Sequence, residues 1–131
     1  FSHAHSLIPV QFELSRINPR FNGKPYRYVY ASRSNPGRLF DALIKLDVQK
    51  KEQVAIWEEP CTSPSEPIFV PRPDAHGDDQ EDDGVVLSVI LDQYAKKSFL
   101  LVLDGQTFKE LARAPLPTHI PLSFHGNFYS A

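Results

Sequence analysis

Apolar, β-branched and aromatic residues fall into short alternating or unbroken runs at residues 12–17, 26–31, 43–48, 53–58, 68–70, 85–91, 99–103 and 108–114. Runs of this length and composition predict β-strands, eight in all. Turn formers stand between them: Asn22-Gly23, Asn35-Pro36-Gly37, Pro64, Pro71-Arg72-Pro73, Asp83-Gly84 and Asp104-Gly105. Residues 108–113 have helical composition, but they follow Asp104-Gly105-Gln106-Thr107. That turn predicts the second strand of a hairpin there. The fold class expected is all-β.

The pattern also repeats. Leu46-Asp47-Val48-Gln49 returns as Leu103-Asp104-Gly105-Gln106 at an offset of 57, and Lys51-Glu52 returns as Lys109-Glu110 at an offset of 58. Moving Arg27-Tyr28-Val29-Tyr30 by 57 lands on Gly84-Val85-Val86-Leu87, another strand-like run. A unit of about 55 residues holding four strands suits one blade of a β-propeller, somewhat above the ~40 to 50 of common blade families. A little over two blades are predicted; the alternative is chance similarity between short Leu-Asp turns.

Composition narrows the picture. Of 131 residues, 12 are proline, about twice the usual ~5%, and they sit between apolar runs where they forbid long helices. With 14 Lys plus Arg against 16 Asp plus Glu, the formal charge of −2 leaves no basic excess to grip a phosphate backbone, so no nucleic-acid partner is expected. The densest apolar stretch, residues 85–91, is interrupted by Ser88 and falls far short of the roughly 20 residues of a membrane span. A single cysteine, Cys61, excludes an internal disulfide framework and a cysteine-based zinc site. Methionine is absent and Phe1 opens the chain, which predicts a piece of a longer protein whose neighbouring blades cover the open apolar faces.

Five histidines and an acidic run are the first candidates for chemistry. His3 and His5, at i and i+2, share a strand face but have no third ligand beside them. His119 and His125 are six residues apart, roughly 20 Å in extended chain at ~3.3 Å per residue, too far to share an ion. His76 adjoins the acidic run and is expected in solvent. Within that run Asp79, Glu81, Asp83 and Gly84 imitate the start of a calcium-binding EF-hand loop. The loop's twelfth position is Ile90 where a bidentate glutamate is required, so a solvated loop between strands is expected.

Glu13 and Glu66 each stand at the expected start of a strand, 53 residues apart and at corresponding places in the repeat. His125 follows Glu66 by 59 residues, at the expected start of the next such strand. In a propeller the innermost strand of each blade lines the central axis, so residues recurring once per blade converge. A metal on that axis would draw one histidine per blade, with carboxylates orienting the imidazoles from behind. The plain alternative is solvated strand-end glutamates and a core histidine.

At these residues the chain resembles the C-terminal part of the carotenoid cleavage oxygenases. That family includes carotenoid and apocarotenoid dioxygenases, stilbene-cleaving oxygenases and the retinoid isomerase of the retinal pigment epithelium. The matching segments are Glu13-Leu14-Ser15-Arg16-Ile17-Asn18, Asn22-Gly23-Lys24-Pro25-Tyr26-Arg27-Tyr28-Val29-Tyr30, Ser65-Glu66-Pro67-Ile68-Phe69-Val70-Pro71-Arg72-Pro73, Glu81-Asp82-Asp83-Gly84-Val85-Val86-Leu87-Ser88, Leu100-Leu101-Val102-Leu103-Asp104, Glu110-Leu111-Ala112-Arg113-Ala114 and Phe124-His125-Gly126. They run in family order across nearly the whole chain. The Glu-Asp-Asp-Gly and Phe-His-Gly segments together are highly specific.

The resemblance implies a seven-bladed β-propeller, of which residues 1–131 are a C-terminal fragment of about two blades. It implies one Fe(II) on the axis held by four histidines and supported by three glutamates. His125 is then the last of the four ligands, and Glu13 and Glu66 are two of the supporting carboxylates. Glu66 is the expected partner of His125 at about 2.7 to 3.2 Å, and Glu13 would orient a ligand outside this chain. His3, His5, His76 and His119 match none of the family's ligands. Alone, the fragment is expected to lack a complete iron site and to be inactive. The implied chemistry is oxidative cleavage of an alkene in a carotenoid or apocarotenoid, both atoms of O₂ going to the alkene carbons and two carbonyl products leaving. Stilbene cleavage, retinoid isomerisation and a non-catalytic binding propeller are the alternatives. The expected partners are the substrate, O₂ and the upstream blades; the expected location is cytoplasmic, with peripheral membrane contact of the full-length protein left open.

Overall fold

The computed structural model describes residues 8–121 and 125–131; His3, His5 and Phe124 lie outside them. Nine strands form among the described residues: β1 (Phe12–Arg16), β2 (Tyr28–Arg33), β3 (Ala42–Asp47), β4 (Glu52–Glu58), β5 (Thr62–Pro64), β6 (Ile68–Pro71), β7 (Gly84–Asp92), β8 (Lys97–Asp104) and β9 (Glu110–Pro115). Eight match the predicted runs. The ninth, β5, is a three-residue polar strand that carries no apolar signal. Among the described residues helical geometry is limited to two 3-10 turns, Pro19–Phe21 and Asp78–Gln80. Residues 110–115 are strand, and no helix long and apolar enough to cross a membrane occurs among the described residues.

The strands make two antiparallel sheets in chain order. The first runs β1-β2-β3-β4; the second runs β5-β7-β8-β9, with β6 also paired to β7. The 57-residue repeat is physical. Asp47 ends β3 and its Oδ1 accepts from the backbone N–H groups of Gln49 and Lys50, while Asp104 ends β8 and does the same for Gln106 and Thr107. Each turn then exits through a residue in the left-handed region, Lys51 at φ 59° and Phe108 at φ 62°. The equivalent of Lys51 is therefore Phe108, and the Lys109-Glu110 match is one residue out of phase.

The sheets pack face to face. Tyr30 and Leu43 of the first meet Phe69, Val86, Ile90, Leu101, Leu103 and Phe108 of the second. The Tyr30 ring stacks on Phe69 at 5.0 Å and on Phe108 at 6.2 Å between centroids. On its other face the first sheet buries Phe12, Val29, Ala31, Ile44 and Leu46 under Ile8. Every residue of β3 is consequently buried, whereas β7 alternates. The outer face of β7 and β8, carrying Leu87, Val89, Leu91 and Leu100, is apolar yet only half-buried.

Two expectations are corrected. The acidic run is solvated only at Asp78, Asp79 and Gln80. Glu81 is buried and accepts from the backbone N–H groups of Arg27 and Tyr28, Asp82 pairs with Lys45 at 2.7 Å, and Asp83 pairs with Arg72 at 2.9 Å. These residues face cationic and N–H donors at the sheet junction, which is why charge turns inward there. Gly84 completes the turn because a Cβ would run into the Val70 carbonyl oxygen. Secondly, no strand begins at His125, and residues 125–131 are irregular. The N–H and C=O groups of Gly126 go to the side chains of Glu66 and Arg16 instead of to a neighbouring strand.

Candidate functional site

Prolines set up the site. Pro64 ends β5, Pro67 precedes β6, and neither can donate to the β7 ladder, so the inner strand of the second sheet breaks at Ser65-Glu66-Pro67. Ser65 bridges the break: its N–H donates to Val89 O at 2.9 Å, and its Oγ accepts from Val89 N–H at 3.0 Å. Glu66 is thereby released from the pleat and turned toward the first sheet.

Arg16 meets it there. Its Nε donates to Glu66 Oε1 at 2.7 Å and its Nη2 donates to Oε2 at 3.2 Å. Gly126 N–H donates to Oε2 at 3.1 Å, and His125 Nδ1 lies 3.3 Å from Oε2 and 3.4 Å from Oε1. The Glu66–His125 approach is slightly longer than the expected range. Glu66 is 5% exposed and the His125 ring 75%. Burial alone would raise the Glu66 pKa, but hydrogen bonds from Arg16, Gly126 and His125 outweigh it and hold the carboxyl below its ordinary range. The bond to Glu66 in turn raises the Arg16 guanidinium.

A carboxylate at Nδ1 favours the imidazole tautomer with its N–H on that side and its lone pair on Nε2, the form in which histidine binds a metal. The donor type therefore fits iron. It is one donor of a set: among the described residues no group of three or more His, Cys, Asp or Glu side chains could hold a metal. Beside His125 opens a cleft of about 290 Å³, walled by Ile68, Leu87, Val89, Leu91 and Leu100 of the half-buried sheet face and by Phe128.

Glu13 is not part of this cluster. It is exposed on β1 and lines a separate shallow pocket with Gln11 and Ser34. His76 and His119 are exposed as well. The residue that sequence reasoning passed over is Arg16. Three positions after Glu13, it would point to the opposite face of a regular strand. A bulge at Leu14 (φ 53°) pairs Glu13 with Ser32 and Arg16 with Tyr30, which puts both on the face toward the second sheet.

Comparison with known proteins agrees with this architecture. The family model described as retinal pigment epithelial membrane protein matches residues 2–130. The chain is 48% identical over 117 residues to beta,beta-carotene 15,15'-dioxygenase of Gallus gallus, covering 88% of this chain and 22% of that protein. It is 46% identical over 116 residues to torulene dioxygenase of Fusarium fujikuroi, covering 87% of this chain and 19% of that protein. It thus spans about a fifth of the length of these relatives. Cobalt-substituted apocarotenoid oxygenase of Synechocystis superposes with a TM-score of 0.85 at 30% identity, over 95% of this chain and 26% of that one. The two sheets are blades of the same β-propeller fold. On the strength of the match across residues 2–130 and of these relatives, the chain belongs to the carotenoid oxygenase family.

Proposed function

We propose that this chain is the C-terminal part, about two blades, of a single propeller domain that acts as a non-haem Fe(II) dioxygenase and cleaves an alkene bond of a carotenoid or apocarotenoid. The observation that carries the reading is the buried Glu66 carboxylate set against the exposed His125 imidazole at 3.3 Å. When bound, iron would supply the centre at which O₂ is activated toward the alkene. His125 would be one ligand, through Nε2. Glu66 orients the ring through Nδ1 and sets a negative charge behind it, which offsets part of the charge that neutral imidazole ligands leave on the metal. Glu13 would serve a ligand supplied by upstream blades. The apolar wall of Leu87, Val89 and Leu91 suits a hydrocarbon and excludes water from it. For the full-length protein we propose a cytoplasmic location.

The test uses the full-length protein, with iron content and turnover of a carotenoid and a stilbene measured for three variants. His125→Ala loses iron and turnover. Glu66→Gln loses ~10 to 100-fold in affinity or activity, since an amide can still hydrogen-bond to the imidazole but brings no charge. Asp79→Ala, on the solvated part of the loop, loses neither. Full iron and full turnover in His125→Ala would replace the metal reading by a binding propeller. Turnover of the stilbene alone would replace the substrate.

A further inference from the structure

Arg16 makes more contacts around Glu66 than an inter-sheet ion pair needs. Besides its two bonds to the carboxylate, Nη2 donates to Gly126 O at 2.8 Å, and Nη1 and Nη2 each lie 3.3 Å from Asn127 Oδ1. One guanidinium, delivered by a bulged strand of the first sheet, therefore grips a carboxylate of the second sheet and the backbone directly after His125. The carboxylate is also closer to Arg16, at 2.7 Å, than to the imidazole, at 3.3 Å. The orientation of Glu66 is thus set from the arginine side. The ring it faces is 75% exposed.

We infer that Arg16 is a positioning residue of the metal centre: its planar fork locks the Glu66 carboxylate and the Gly126-Asn127 backbone into one arrangement and so fixes where the His125 imidazole stands. The inference rests on the reading of His125 as a metal ligand. A lysine cannot reproduce it. Its ammonium is a point charge on a flexible stem, which can pair with Glu66 but cannot present parallel N–H bonds to a carboxylate and a third to a carbonyl.

The experiment uses the full-length protein with Arg16→Gln, Arg16→Lys, Glu66→Gln, the Arg16→Gln/Glu66→Gln double variant and His125→Ala. Fe(II) affinity is read by chelator competition, the ligand-field absorption of the Co(II)-loaded protein reports ligand geometry, and thermal unfolding of the metal-free protein reports stability. Arg16→Gln should weaken Fe(II) binding about tenfold and shift the Co(II) bands, in the range typical of groups that orient a metal-binding imidazole. Arg16→Lys should recover part of the affinity but not the wild-type spectrum. The double variant should lose less than the sum of the two single losses, because Arg16 and Glu66 belong to one network. A lower melting temperature with unchanged affinity and Co(II) spectrum would reduce Arg16 to an inter-sheet bridge, and so would additive losses in the double variant. If Arg16→Gln does not fold, Arg16→Lys carries the test, and a wild-type spectrum in it overturns the inference. His125→Ala separates the two levels. Loss of iron there with full affinity in Arg16→Gln removes only the role of Arg16, whereas retained iron in His125→Ala removes the metal reading and the inference with it.

Discussion

Glu66 and Glu81 are each 5% exposed, and each reaches from the second sheet to the first. Their surroundings differ in one respect. Glu81 accepts from the N–H groups of Arg27 and Tyr28 at 2.8 to 3.0 Å, and Asp82 beside it pairs with Lys45, itself only 3% exposed. Every partner in that clip is scaffold. Glu66 has scaffold partners too, but its free edge meets an exposed imidazole beside an apolar cleft. A buried carboxylate is thus no sign of chemistry in itself; what distinguishes the second kind is an imidazole partner that faces outward.

If the clip is structural, breaking it should cost stability and leave metal affinity of the folded protein alone. Asp82→Ala is expected to have the largest effect. It leaves the buried Lys45 ammonium without its ion-pair oxygen, still bonded to the Gln106 carbonyl and lying over the Tyr28 ring at 4.2 Å from its centroid. Removing one member of a buried pair costs about 3 to 5 kcal/mol, and the partial exposure of Asp82 places the expected loss near ~3 kcal/mol in urea unfolding. A loss below ~1 kcal/mol would return the loop to the class of solvated surface pairs. Glu81→Gln should cost less, about 1 to 2 kcal/mol, since one amide oxygen remains to accept from two N–H donors. His125→Ala is expected to invert the pattern: the exposed ring should contribute within ~0.5 kcal/mol to stability, while on the proposed function iron should be lost. Equal damage to stability in all three variants would erase the distinction between the two glutamates.

Much of this division was readable in the chain. The eight apolar runs and the 57-residue repeat gave the sheets because strand composition and the Asp-started turns act locally. Glu66 stood out because it opens a predicted strand 53 residues after Glu13, at the corresponding place in the repeat. Three features escaped for physical reasons. β5 is polar because it is held by the β7 ladder and not by an apolar face. The inward turn of Glu81 and Asp82 depends on donors 37 to 54 residues away in sequence. The role of Arg16 depends on a bulge, which moves a side chain across a sheet without leaving a signal in the residue pattern. The strand expected at His125 misled for a related reason: alternation announces a strand only where a neighbouring backbone is available to pair with it, and Gly126 is taken by side chains.

The smallest expected effect concerns carboxylates of a third kind, which neither clip the sheets nor face the exposed imidazole but close turns. Asp104 is held below the ordinary aspartate pKa of 3.8 chiefly by the Thr107 backbone N–H, with burial opposing; at Asp47 burial again pushes up, and Arg27 with the N–H groups of Lys50 and Gln49 outweighs it. A folded-state pKa below the unfolded value means that the contribution is present above that value and is lost as pH falls through the folded-state pKa. Asp104→Asn keeps an acceptor oxygen for Gln106 and Thr107 but removes the charge, so the expected cost at neutral pH is about 1 kcal/mol. Denaturation followed from pH 7 downward should show this gap constant to about pH 5, then closing as Asp104 protonates in the wild-type protein. A gap that stayed the same down to about pH 2 would mean that the Asp104 charge adds nothing to the turn, and that the aspartate is there for its shape alone.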